Sequence, residues 1–129
     1  MTAARVLALA LALAACGKGG GVATTGPGAR DALLDAWKKG GLSPSAFTAS
    51  QSPIGKDCAA GTVNNVDVIV CQFATPDDAK KAEDAGLQWV GDTTGAAHAL
   101  GSLVIGVADR RKADPSGRTI NQLFKLASG

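Results

Sequence analysis

Three cysteines, one histidine and one basic run are the residues of this chain whose chemistry reaches beyond packing. The thiols are Cys16, Cys58 and Cys71, an odd number that permits one internal disulfide at most. Cys58 and Cys71 are too far apart in sequence for a Cys-x-x-Cys redox dithiol, and a zinc site would need two further ligands where His98 is the sole histidine. A structural disulfide, a pair of free thiols and a redox or metal pair therefore stand as alternatives, the first being the expected one. His98 has no acid or nucleophile beside it in sequence, so general acid-base work is not expected of it. The basic run is Asp109-Arg110-Arg111-Lys112-Ala113-Asp114-Pro115-Ser116-Gly117-Arg118. Arg110, Arg111 and Arg118, with backbone N–H groups near Ser116 and Gly117, have the chemistry to hold a phosphate, a carboxylate or a protein partner. The plainer alternative is a solvated loop whose Asp114 caps the helix that follows.

No motif for nucleophilic catalysis, phosphate cradling or dinucleotide binding is present: Gly-x-Ser-x-Gly, Gly-x-x-x-x-Gly-Lys-Ser/Thr and Gly-x-Gly-x-x-Gly are all missing. Carboxylate pairs such as Asp77-Asp78 and Glu83-Asp84 sit where helix ends and solvated faces put them. The expectation is a non-enzymatic protein with no catalytic residue, no metal and no dissociable cofactor. Formal charge is +2, and removing Arg5 with the leader described below lowers it to +1, too balanced for a nucleic-acid surface. Five aromatics and no tyrosine leave few stacking platforms, which points the same way.

The elements that must position these residues follow from periodicity and punctuation. Ala29, Leu33, Ala36 and Trp37 lie at helical spacing before Lys38-Lys39 and a Gly40-Gly41 stop. Ala46 to Ser50, bracketed by Pro44 and Pro53, suits an edge strand, and Ser52-Pro53-Ile54-Gly55 suits a turn. Asp57–Val63 and Val66–Phe73 flank Asn64-Asn65, a pair that tolerates the positive φ of a hairpin turn. Thr75 and Pro76 start a helix expected to end at Gly86, with Trp89 and Val90 adding bulk after it. Gly101-Ser102 fits a type II′ turn between Gly95–Leu100 and Leu103–Ala108, although residues 96–100 alternatively suit one helical turn. Asp114 and Pro115 begin a last helix with Ile120, Leu123, Phe124 and Ala127 as its apolar stripe. The order α-β-ββ-α-ββ-α predicts an α+β domain at 29–129, a small antiparallel sheet of four to five strands with helices on one face.

The hairpin makes a sharper statement about the thiols. With Asn64-Asn65 as the turn, Cys58 and Cys71 stand equally far from the flanking pair Val63/Val66 and so directly opposite one another. Alternation along an antiparallel ladder puts them on a non-hydrogen-bonded pair, with Cα atoms about 4.5 Å apart. That separation suits a disulfide.

At the other end of the chain, Met1 to Arg5 supplies a short positive start, Val6 to Ala12 an apolar run too short to span a bilayer, and small residues follow. Leu13-Ala14-Ala15-Cys16 then resembles the lipobox of bacterial lipoprotein precursors, an aliphatic residue and two small residues before a cysteine. The resemblance covers about sixteen residues and implies that 1–15 is a signal peptide, cut between Ala15 and Cys16, with diacylglyceryl on the Cys16 thiol and a further acyl chain on the new amino group. Two or three chains hold a protein durably where one does not, since each buried CH₂ adds about 0.8 kcal/mol. Lipidation of Cys16 also removes the odd thiol and leaves Cys58 with Cys71. Gly17, where an aspartate commonly retains family members at the inner membrane, implies the outer membrane, facing the periplasm, in a cell with two membranes.

Residues 16–28 are then the anchor and its Gly-rich tether, expected to let the domain reorient. The functional expectation is an envelope lipoprotein acting as an accessory or binding subunit, its partners the membrane and an envelope protein, with no nucleic acid. The alternative is a ligand-binding or sensory domain that takes an anionic small molecule at Arg110–Arg118.

Overall fold

Asn64 and Asn65 carry φ of 51° and 69°, the backbone of a type I′ turn whose twist matches the strands it joins. In the computed structural model, which describes residues 24–128, this turn joins β2 (Asp57–Val63) to β3 (Val66–Gln72). The leader, the lipobox with its Ala15–Cys16 cut and the first part of the tether lie outside the described residues. Pairing runs from Val63↔Val66 to Asp57↔Gln72, with Cys58 opposite Cys71, the register expected. Before the hairpin come α1 (Ala29–Lys39) and a two-residue edge strand β1 (Thr48–Ala49) at the centre of the expected 46–50 segment. After it come α2 (Pro76–Lys81), α3 (Glu83–Val90), β4 (Gly95–Leu100), β5 (Leu103–Ala108) and α4 (Arg118–Ala127).

The five strands form one open antiparallel sheet in the order β1-β2-β3-β5-β4, so the α+β expectation is borne out. Residues 96–100 are strand rather than helical turn, paired along their length with β5. Gly101 between them has a φ of 58°, which a II′ turn demands of its first central residue.

The expectation of helices on one face is corrected. One side of the sheet carries α1 and α4, packed on Val66, Val68, Val70, Leu103, Ile105 and Val107. The other carries α2 and α3, packed on Ile69, Cys58, Cys71 and Val104. The reason lies in β3 and β5: Val68-Ile69-Val70-Cys71 and all six residues of β5 are buried, so both faces of these central strands need cover.

Two helix boundaries also differ. Gly86 does not stop the second helix. The chain breaks at Ala82 and resumes as α3, which takes in Trp89 and Val90 and ends at Gly91, where φ is 63°. A Cβ on Gly86 would lie 3.1 Å from both the Ala97 side chain and Val104, so this glycine serves close packing of α3 on the sheet. The last helix starts at Arg118 rather than Pro115, with Gly117 at the N-cap position and a φ of 75°.

Candidate functional site

The strand-to-helix passage after β5 is organised by two buried aspartates. The Asp109 backbone N–H donates to the Thr94 carbonyl at 2.8 Å, and the Asp109 carboxylate accepts from the backbone N–H of Ala113 (2.8 Å) and of Asp114 (2.9 Å). This closes a tight loop in which Lys112 adopts a φ of 55°. Asp114 in turn accepts from the N–H groups of Thr119 (3.1 Å) and Ile120 (2.9 Å), donors of the first turn of α4 that have no partner within the helix. Asp114 therefore caps the helix as expected of it, from three residues before the N-cap position. Burial of both side chains is tolerated because every carboxylate oxygen has a backbone donor.

Two of the three arginines meet at one carboxylate, and the third stands apart. Arg110 stacks on Trp89 with its guanidinium carbon 4.5 Å from the ring centroid, donates to the Trp89 carbonyl at 2.6 Å and lies 3.8 Å from Asp67. Arg111 donates to Asp67 at 2.6 Å and to the Asn65 carbonyl at 3.3 Å. Arg118 is exposed on α4, and its backbone N–H takes up the Ser116 hydroxyl oxygen at 3.4 Å. Arg110 and Arg111 thus share Asp67, a carboxylate on β3 to which the sequence assigned no role.

A cavity of about 460 Å³ opens beside this passage, lined by Asp92, Thr93 and Thr94 from the loop before β4 and by Asp109, Arg110, Lys112, Asp114 and Pro115. Of the five residues expected to bind an anion, it takes in Arg110. Arg111, Ser116, Gly117 and Arg118 lie outside its lining. The contribution of residues 92–94 had no local signal, since it depends on the pairing of β4 with β5, which sets Gly95 opposite Ala108.

The thiols meet as the register requires. The sulfurs of Cys58 and Cys71 are 2.08 Å apart, at disulfide distance, and the Cα atoms are 4.0 Å apart against the 4.5 Å expected. Both residues are buried under α2 and Ile54, inside the second core. His98 stands exposed on β4 with its ring edge-on to Phe124, centroids 4.8 Å apart. Among the described residues no cluster of three or more His, Cys, Asp or Glu is placed to hold a metal ion, and no helix is long and apolar enough to cross a membrane.

Neither tryptophan presents an apolar docking surface. Trp37 is fully buried between α1 and α4, its indole N–H donating to the Leu123 carbonyl at 2.9 Å. Trp89 is half-buried beneath Arg110. The large hydrophobic side chain left exposed among the described residues is Leu87, on α3.

No protein-family model, curated protein or solved structure gives a significant match to this chain.

Proposed function

We propose that this chain is the precursor of a bacterial envelope lipoprotein, whose lipid-bearing Cys16 holds a non-enzymatic accessory or binding domain at a membrane surface. The observation that carries the reading is the division of the cysteines. Cys58 and Cys71 lie at disulfide distance inside the domain, and the remaining thiol, Cys16, ends Leu13-Ala14-Ala15-Cys16. A paired, buried cysteine couple in a small domain accords with export to an oxidising compartment, which is where a lipobox would send it. Gly17 after the lipid-bearing residue favours the outer membrane in a two-membrane cell.

The test is expression of the full precursor in a bacterium that processes lipoproteins, followed by detergent-phase partitioning and intact mass. The mature protein is expected to begin at Cys16, carry two or three acyl chains and enter the detergent phase. Cys16→Ser should leave it unlipidated and in the aqueous phase, and normal partitioning of that variant would defeat the reading.

Arg110 and Lys112 in the cavity wall, whose Asp109 and Asp114 carboxylates are already engaged by backbone N–H groups, favour a second reading, a domain that takes a small ligand with an acidic group. Arg110 is already oriented by its Trp89 stack and keeps exposed guanidinium surface. Titration with inorganic phosphate and with succinate, followed by amide shifts, tests it. Shifts centred on Asp92–Thr94 and Arg110–Lys112 are expected, and their absence at millimolar ligand would remove it in favour of a protein partner, to be sought by crosslinking in intact membranes.

A further inference from the structure

The segment between the proposed anchor and α1 does not hang free along its whole length. The Thr24 carbonyl accepts two hydrogen bonds from Ser102, one from the backbone N–H at 2.7 Å and one from the hydroxyl at 3.1 Å. Ser102 is buried, and with Asp109 and Asp114 it makes up the buried polar side chains among the described residues. Gly101 beside it admits this strap: a Cβ there would meet the Thr24 carbonyl oxygen and side chain, and its φ of 58° disfavours one anyway. Further along, the Pro27 carbonyl accepts from the Gln72 side chain at 3.4 Å, and the Gly26 carbonyl from Ala29 N–H at 3.1 Å.

Strand polarity gives this contact a consequence. Gln72 pairs with both Asp57 and Leu103, so these residues, the Gly101-Ser102 turn and Thr24 share one pole of the sheet. Asp67 pairs with Ala108, so the Asn64-Asn65 turn, Asp109 and the cavity occupy the opposite pole. A seven-residue strand separates the poles by about 20 Å. Cys16 precedes Thr24 by eight residues, and a fully extended chain of that length reaches at most about 28 Å.

Resting on the lipoprotein reading above, we infer that the Thr24–Ser102 contact fastens the tether to the domain at the Gly101-Ser102 pole, that this pole is the membrane-proximal one, and that the Arg110–Lys112 cavity opens toward the aqueous side. Lipid on Cys16 keeps the Thr24 pole within the reach of those eight residues. The cavity pole is free to stand a full strand length farther out.

The experiment uses the mature, lipid-bearing protein in nanodiscs of phosphatidylethanolamine and phosphatidylglycerol doped with a gadolinium-chelating lipid. Paramagnetic broadening and hydrogen exchange are read amide by amide. Amides of Asp57, Gln72 and Leu103 are expected to broaden several-fold more than those of Asn65, Ala108 and Lys112, and the Ser102 amide to exchange slowly. Gly101→Ala, or the milder Ser102→Ala if the first does not fold, should speed exchange at Ser102 and shrink the contrast between poles. Uniform or reversed broadening in nanodisc-bound protein overturns the orientation, and fast exchange at Ser102 in the unaltered protein overturns the strap. A protein without acyl mass that fails to join nanodiscs overturns the anchor, and the orientation with it, while slow exchange at Ser102 would then still record the strap.

Discussion

The two faces of the sheet are built on different principles. The α1/α4 face is filled by large side chains, with Trp37 and Leu33 fully buried against Val68, Val70, Ile105 and Leu123. The α2/α3 face has Ala79, Gly86, Ala97 and Gly106 at its contacts, with Trp89 lying over Gly106 and the Cys58–Cys71 pair beneath the helices. Apolar area stabilises the first face at about 25 cal/mol per Å² removed from water. Small residues bury little, so the second face relies on close approach and on the Cys58–Cys71 pair held at disulfide distance across its hairpin.

The contrast is broken most severely from the large-residue side. Trp37→Ala is expected to cost about 3–5 kcal/mol, since it empties the largest buried site and removes the indole N–H that donates to the Leu123 carbonyl. Urea denaturation of the oxidised protein would measure this, and a loss below about 1 kcal/mol would show that this face is not the main core. Next comes the crosslink: the double variant Cys58→Ala/Cys71→Ala should lose roughly 3 kcal/mol. Reductant should bring the unaltered protein close to the stability of that variant while leaving the variant itself unchanged. An unaltered protein indifferent to reductant would mean that the thiols are not linked.

A smaller effect probes the close approach itself. Gly86→Leu is expected to cost about 1–3 kcal/mol by forcing α3 off Ala97 and Val104, and the broadened core signals should be confined to the α2/α3 side. Equal disturbance of Val68 and Ile105 would mean that the faces are not independent. Smallest, Asp114→Ala should cost about 1 kcal/mol, fraying the first turn of α4 as its Thr119 and Ile120 N–H groups lose their acceptor. Faster hydrogen exchange at those two amides would record it without change at the hairpin.

How much was legible beforehand varied by region. The hairpin was read to the residue, since Asn64-Asn65 dictates a turn and a turn of known length dictates register. The burial of β3 on both faces was written in its unbroken apolar run but was assigned to one covered face, because a sheet with a single layer of helices shows a similar order of elements. Gly86 was taken for a helix stop because local rules read a glycine as punctuation, whereas its role is close contact with Ala97 and Val104 on strands that follow it. The cavity was half legible: Arg110 and Asp114 stood out in the basic run, and the Asp92–Thr94 side did not. The segment 24–28 reads as tether by composition, yet Ser102 holds its first residue.

By itself, then, the sequence determined what depends on neighbours in the chain: the β2–β3 hairpin with its register, the strand and helix segments apart from the break at Ala82 and the start of the last helix, and the capping role of Asp114. The tertiary structure alone decided what depends on residues far apart in sequence meeting: helices on both faces, Asp67 between two arginines, a cavity assembled from two loops, and a strap fixed to a turn 78 residues away. The physical reason is that turns, caps and alternation are set by backbone energetics over a few residues. Contact between elements is set by which surfaces remain to be buried once all of them have formed.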